Sequence, residues 1–233
     1  MTKDDKGPKP RPGKHRQASA SDRIVHDVLR GLYEGRYLPA QRLSKPDLVT
    51  RYKASRTIVR NAIKRLAAQG VVEARTARDV RIRQLTRTEA RNVLLIAEVI
   101  VGLAARLAAE TIAENGDRDS HQADLQAALD ALVNARSGIG HYDFIRMRNR
   151  FHRTVARIGG NPQLEETLTA LPVHLIRNRL VMKPEDRAGS YRRIAEAVLA
   201  GDGKAAEEAA RRHIRIVIDL IDMVYDPPFP DRS

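Results

Sequence analysis

Apolar residues recur at helical spacing along most of this chain, and at alternating spacing in one short stretch around residue 80. Ile24, Val28 and Leu32 are four apart, and Val25 and Leu29 widen the stripe. This predicts a helix from Asp22 to about Glu34, capped by Ser21 and stopped by Gly35. Pro39 marks a loop. Ser44-Lys45-Pro46-Asp47 supplies a capping hydroxyl, a first-turn proline and an acidic residue three beyond the cap, which predicts a short helix to about Tyr52. Ser55 caps a third helix through Gln69, stopped at Gly70, with Ile58, Ala62, Ile63 and Leu66 as its buried stripe. Val71–Ala74 and Val80–Arg83 alternate as strands around Arg75-Thr76-Ala77-Arg78-Asp79.

From Thr86 the pattern is helical throughout. Thr86 and Glu89 form a capping box for a helix to Glu114, and Asn115-Gly116-Asp117 breaks it. Further helices are predicted from Ser120 to Ala135 and from Tyr142 to Ile158, separated by Ser137-Gly138-Ile139-Gly140. Asn161-Pro162 opens a fourth to about Val181, bent near Pro172. A fifth covers Pro184 to Ala200, and Gly201-Asp202 opens a sixth through about Tyr225, before Pro227-Pro228. The expected fold is mainly α: a winged helix-turn-helix over 21–83, then a six-helix antiparallel bundle over 84–226. Residues 1–20, basic and without apolar period, are expected to be a disordered tail, with a second tail at 227–233.

Charge divides the chain the same way. Of 42 Lys/Arg and 29 Asp/Glu, residues 1–83 hold 21 and 8, and the rest hold 21 and 21. The whole net charge of +13 therefore sits in the first part, which points to a polyanionic partner there. The basic tail either solubilises the protein or adds phosphate contacts. Cys is absent, which removes disulfide and thiolate chemistry and fits a reducing cytoplasm. Aromatics are 4% and Trp is absent, which argues against stacking on single-stranded nucleic acid. The start lacks an apolar signal region. The most apolar stretch, Val93 to Ala109, is interrupted by Glu98 and Arg106, and is read as too broken for the roughly 18 residues of a membrane span. A cytoplasmic protein without membrane contact is expected.

In a helix-turn-helix the second helix presents N-terminal side chains to base edges in the major groove. Here those are Ser55, Arg56, Thr57 and Arg60, with Asn61 and Lys64 on the same side. Arg offers a bidentate fork to guanine, and Ser or Thr can bond base or phosphate. Arg78, at the hairpin tip, is placed to reach a minor groove or a phosphate. The partner expected is double-stranded DNA.

The run Ala54-Ser55-Arg56-Thr57-Ile58-Val59-Arg60-Asn61-Ala62-Ile63-Lys64-Arg65-Leu66, followed by Gln69-Gly70-Val71-Val72, resembles the winged-helix domain of GntR-type transcriptional regulators. The helical part resembles the ligand-binding FCD domain of their FadR subfamily, through Phe151-His152-Arg153, Gly159-Gly160-Asn161-Pro162, Gly201-Asp202 and Arg211-Arg212-His213-Ile214. The resemblance covers about residues 20–226. It implies homodimers on two-fold operators, with a small metabolite, often a carboxylate, altering DNA affinity. One departure is the wing, where the usual Asn-Arg-Gly is replaced by Ala77-Arg78-Asp79. Asp79 adds a charge that DNA repels.

The resemblance also implies a divalent-metal position, built from an Asp four residues before a His and two further His. His152 and His213 match two of these ligands, but the other two positions hold Arg148 and Tyr191. Arg repels a cation and Tyr replaces His poorly, so no metal or other cofactor is expected, unless His152 and His213 keep a degenerate site. Arg148 could instead bind an anionic effector, with His152, Tyr191 and His213 as hydrogen-bond donors. The plainer alternative makes Arg148 a surface residue and both His ordinary core.

The leading expectation is a sequence-specific transcriptional regulator, a repressor, tuned by a carboxylate-bearing metabolite. A second is a non-specific architectural DNA binder with a vestigial helical domain. An enzyme using His152 and His213 is disfavoured, because no nucleophile motif or full ligand set accompanies them. His121, His141 and His174 have no metal spacing, and Arg146, Arg150, Arg153 and Arg157 read as a solvated face.

Overall fold

A computed structural model describes residues 19–74, 76, 79–114, 118–134, 141–177 and 184–223. The first domain contains α1 (Ala20–Tyr33), α2 (Lys45–Tyr52), α3 (Arg56–Ala68), β1 (Val72–Ala74) and β2 (Val80–Ile82). The second contains α4 (Arg87–Glu114), α5 (Arg118–Val133), α6 (His141–Ile158), α7 (Pro162–Ala170), α8 (Val173–Arg177), α9 (Pro184–Leu199) and α10 (Gly203–Met223). A winged helix-turn-helix is thus followed by a helical bundle, as the periodicities predict.

Helix α1 starts earlier than expected. Ser19, not Ser21, is its cap: the Ser19 hydroxyl accepts from the Asp22 amide at 3.1 Å, and the Asp22 carboxylate accepts from the Ser19 amide at 2.9 Å. Ser19 and Ala20 therefore belong to the first domain. The remainder of the predicted basic tail lies outside the described residues, as do the glycine-rich breaks after α4 and α5 and the segment from 224 onward.

Helix α3 buries Val59, Ala62, Ile63 and Leu66, with Ile58 only partly covered. The stripe is thus anchored one residue later than expected, at the i, i+3, i+4, i+7 spacing that lets it pack on Ile24, Val28 and Leu32 of α1. Strands β1 and β2 pair antiparallel, Val72 with Ile82 and Ala74 with Val80. The stretch after Pro39 is more than a loop. The Leu43 amide donates to the Val80 carbonyl at 2.7 Å, and the Ile82 amide to the Gln41 carbonyl at 2.9 Å, so β2 is hydrogen-bonded on both sides.

Helix α4 is the axis of the second domain, with α10, α6 and α9 packed around it. Its inward positions include Ala97, Ala104, Ala105, Ala108 and Ala109, small side chains that let neighbours approach closely. By length and apolar composition α4 is sufficient to cross a membrane, so Glu98 and Arg106 do not break the stretch as expected. Both charges are tied to α10: Arg215 donates to Glu98 at 2.9 Å, and Arg106 to Glu207 at 3.3 Å. Half of the apolar window is buried inside the bundle, so its apolar side is the bundle core.

The helix expected from Asn161 to Val181 is two helices. Pro172 removes an amide donor and pushes the residue before it out of the helical region, and Leu171 adopts φ −67° and ψ 130°. Helix α7 therefore ends at Ala170, and the chain restarts as α8.

Two predictions follow from this packing. A Cβ on Gly159, just after α6, would sit 3.0 Å from Leu107 Cβ and 3.1 Å from the Ala108 amide nitrogen of α4. Gly159→Ala is expected to lower the unfolding free energy by about 1–3 kcal/mol in urea titrations. The Asp22 carboxyl is drawn down to about 2 by hydrogen bonds from Ser19 and Arg65. Burial opposes ionisation of Asp27, but the Tyr52 hydroxyl, Arg36 and Arg51 outweigh it and hold this carboxyl below its ordinary value too. Both groups contribute stability above about pH 4 that is lost as pH falls, and for Asp22 the loss extends to about pH 2. The urea midpoint should drop over that window, and Asp27→Asn should flatten the drop.

Candidate functional site

One candidate surface is the outer face of α3. Ser55, Arg56, Thr57, Arg60, Asn61 and Lys64 are all exposed there. The Ser55 hydroxyl accepts from the Ile58 amide at 3.3 Å, so it also fixes the start of the helix. Among the described residues no ion pair engages Arg56, Arg60 or Lys64, whereas the neighbouring Arg65 is held by Asp22 at 2.6 Å. Three unneutralised cations therefore share the face that a helix-turn-helix turns toward DNA. The Asp79 charge does not stand alone: its carboxylate accepts from Arg81 at 3.1 Å and lies 3.8 Å from Arg42. Arg78 lies outside the described residues.

The second candidate site is inside the bundle. Arg148 and His152 are one turn apart on α6, Tyr191 is on α9 and His213 on α10. Their exposures are 8%, 9%, 0% and 0%. Arg148 is therefore no surface residue. The ring centroids of Tyr191 and His213 are 4.6 Å apart, those of His152 and Tyr191 5.8 Å, and those of His152 and His213 6.2 Å. Phe151 closes the cluster, edge-on to Tyr191 at 5.2 Å.

Among the described residues, Arg148 Nε and the Tyr191 hydroxyl are buried without a hydrogen-bond partner. Arg148 Nη1 donates at 2.9 Å only to Asn149, its own neighbour, and no carboxylate pairs with it among the described residues. A buried guanidinium without a counter-charge is costly, and an anion docking on it would remove that cost. A divalent metal fits this set poorly. Two imidazoles lack both the carboxylate and the third His, and a guanidinium stands one turn away on the same helix. Among the described residues no group of three or more His, Asp or Glu is arranged to hold a metal ion.

Arg148 and His152 also face a cavity of about 750 Å³. Tyr191 and His213 sit behind His152 and do not line it. Its opposite wall comes from the first domain: Leu29 and Tyr33 of α1, and Gln69 at the end of α3. Burial pushes the Tyr33 hydroxyl pKa upward, and the nearby Arg148 charge partly opposes that shift. Tyr142, at the start of α6, seals one end of this seam. Its hydroxyl bonds His26 Nε2, its ring meets the His26 ring edge-on, and Arg30 lies 5.8 Å over its face.

The periodicity alone does not assign these residues to an inter-domain surface: Leu29 reads as a flank of the α1 core stripe and Gln69 as a helix end. A signal existed: His26, Leu29, Arg30 and Tyr33 have i, i+3, i+4, i+7 spacing, a second face on α1 beside its core stripe. The α6 arginines behave as a solvated face. Arg146 pairs with Asp143 at 3.9 Å, Arg157 with Asp124 at 2.8 Å, and Arg150 and Arg153 are exposed.

Residues 20–82 match the model of the gntR family of bacterial regulatory proteins, and residues 92–216 match that of the FCD domain. A relative in Paenarthrobacter nicotinovorans, named "Probable D-xylose utilization operon transcriptional repressor", is 26% identical over 85% of this chain and 87% of its own. The HTH-type transcriptional repressor RspR of Escherichia coli K12 is 24% identical over 80% of this chain and 82% of its own. The structure of E. coli McbR/YncC shares the fold, with a TM-score of 0.74 at 18% identity, over 90% of this chain and 100% of that one. This chain belongs to the gntR family of bacterial regulatory proteins, joining a DNA-binding winged helix-turn-helix to an FCD domain.

Proposed function

We propose that the protein is a cytoplasmic, homodimeric repressor that binds a two-fold operator and releases or retains it according to a small anionic effector. The observation that carries this reading is the buried Arg148 beside His152, which no carboxylate pairs among the described residues, in a chain whose α3 carries Arg56, Arg60 and Lys64 with no ion pair among those residues. On this reading Arg56 and Arg60 contact base edges, Ser55, Thr57, Asn61 and Lys64 contact bases or phosphates, and Arg78 adds a wing contact. Arg148 takes the anionic group of the effector. Tyr191 and His213 support His152 from behind, and neither a metal nor another cofactor is required. Leu95, Ile96 and Val99 are exposed on one side of α4, an apolar strip of the kind a second copy would cover.

An effector acts only through different affinities for the DNA-competent and incompetent states, with couplings of about 1–3 kcal/mol. Selection of binding sites from randomised DNA should enrich a palindrome, and Arg60→Ala should relax its sequence preference. Enrichment of no motif, with binding lost at moderate salt, would instead favour an architectural DNA binder. Because the Tyr191 hydroxyl has no hydrogen-bond partner among the described residues, Tyr191→Phe should leave stability unchanged or raise it by about 1 kcal/mol in thermal unfolding.

A further inference from the structure

Among the described residues, two that line the cavity between the domains carry a buried polar atom without a hydrogen-bond partner, one on each wall. On the α6 wall this is Arg148 Nε. On the opposite wall it is Gln69 Oε1, a buried acceptor without a partner, at the C-cap of the helix that faces DNA. Both residues line the same space of about 750 Å³. Between them the lining is largely apolar, with Leu29, Val101, Met147 and Leu171 among its residues. Such a cavity lies within the ordinary size range of small-molecule sites, which combine apolar walls with a few placed polar groups.

The chemistry of the two ends differs. Among the described residues Arg148 is the one buried guanidinium on the wall, so it matches a single negative charge. Arg146 is exposed and already near Asp143, and Arg150 and Arg153 are exposed, so solvent weakens their pull on a ligand. Gln69 Oε1 can only accept, so it calls for a hydroxyl or amine donor.

We infer that the cavity is a binding site for a monocarboxylate with an apolar body and a hydrogen-bond donor at its far end, and that this ligand touches both domains at once. The inference rests on the effector reading above and specifies its ligand class. It also gives the signal a short route. The ligand would press on Leu29 and Tyr33 of α1 and on the end of α3, so the DNA-facing helix is contacted directly rather than through the bundle.

The test uses the full-length protein and titration calorimetry with hexanoate, octanoate, decanoate, their ω-hydroxy counterparts, acetate and gluconate. At least one alkanoate should bind about tenfold or more tightly than acetate and gluconate, and its ω-hydroxy counterpart more tightly still. Arg148→Met should abolish binding of both. Gln69→Leu should erase the advantage of the hydroxyl and leave alkanoate affinity in place. The chain has no Trp, so Tyr33→Trp places a single tryptophan on the α1 wall, excited at 295 nm apart from the tyrosines, and 8-bromooctanoate should quench it where octanoate does not. Circular dichroism checks that each variant is folded. If acetate and gluconate bind as tightly as the alkanoates through Arg148, and Gln69→Leu has no effect, the two-domain site is overturned and the anion-effector reading survives. If no carboxylate binds, or Arg148→Met changes nothing, both fall.

Discussion

The placement of α6 governs how the two domains relate. One side of this helix packs into α4 and α5, burying Phe144, Phe151, Val155 and Ile158. Its first turn reaches out of the bundle and meets α1 through Tyr142. Between these anchors it carries Arg148 and His152. A single rigid element therefore joins the bundle core, the candidate effector site and the DNA-binding domain. The absence of a Cβ at Gly159 lets the end of α6 lie close against α4.

Burying Arg148 without a carboxylate is unfavourable for the free protein. Such a cost persists where the surrounding packing holds it and where function uses it. The cluster of Phe151, His152, Tyr191 and His213 supplies that packing. An arginine in place of a carboxylate ligand changes the sign of the local charge.

Much of this was legible in the chain. Capping hydroxyls at Ser44 and Ser55, and the alternation around residue 80, place the elements of the first domain within a residue or two, and Thr86 places the start of the second domain. Periodicity also places Arg56, Arg60 and Lys64 outward. The errors have local causes. Ser19 and Ser21 both suit a cap, and only the reciprocal bond with Asp22 chooses between them. Pro172 suggests a bend in the sequence, but its effect on Leu171 ends the helix. Glu98 and Arg106 look like interruptions in the sequence, because their partners on α10 are more than a hundred residues away. The inter-domain wall was missed for the same reason: Leu29, Tyr33 and Gln69 reach Arg148 only through tertiary folding.

The claim that α6 couples the two domains is best tested by amide hydrogen exchange on the full chain, comparing the wild type with Tyr142→Ala. If the seam is an energetic link, the variant should exchange faster in α1, residues 20–33, while α4 and α10 keep their protection. Unchanged exchange in α1 would mean that the domains merely touch at Tyr142, and would contradict the account.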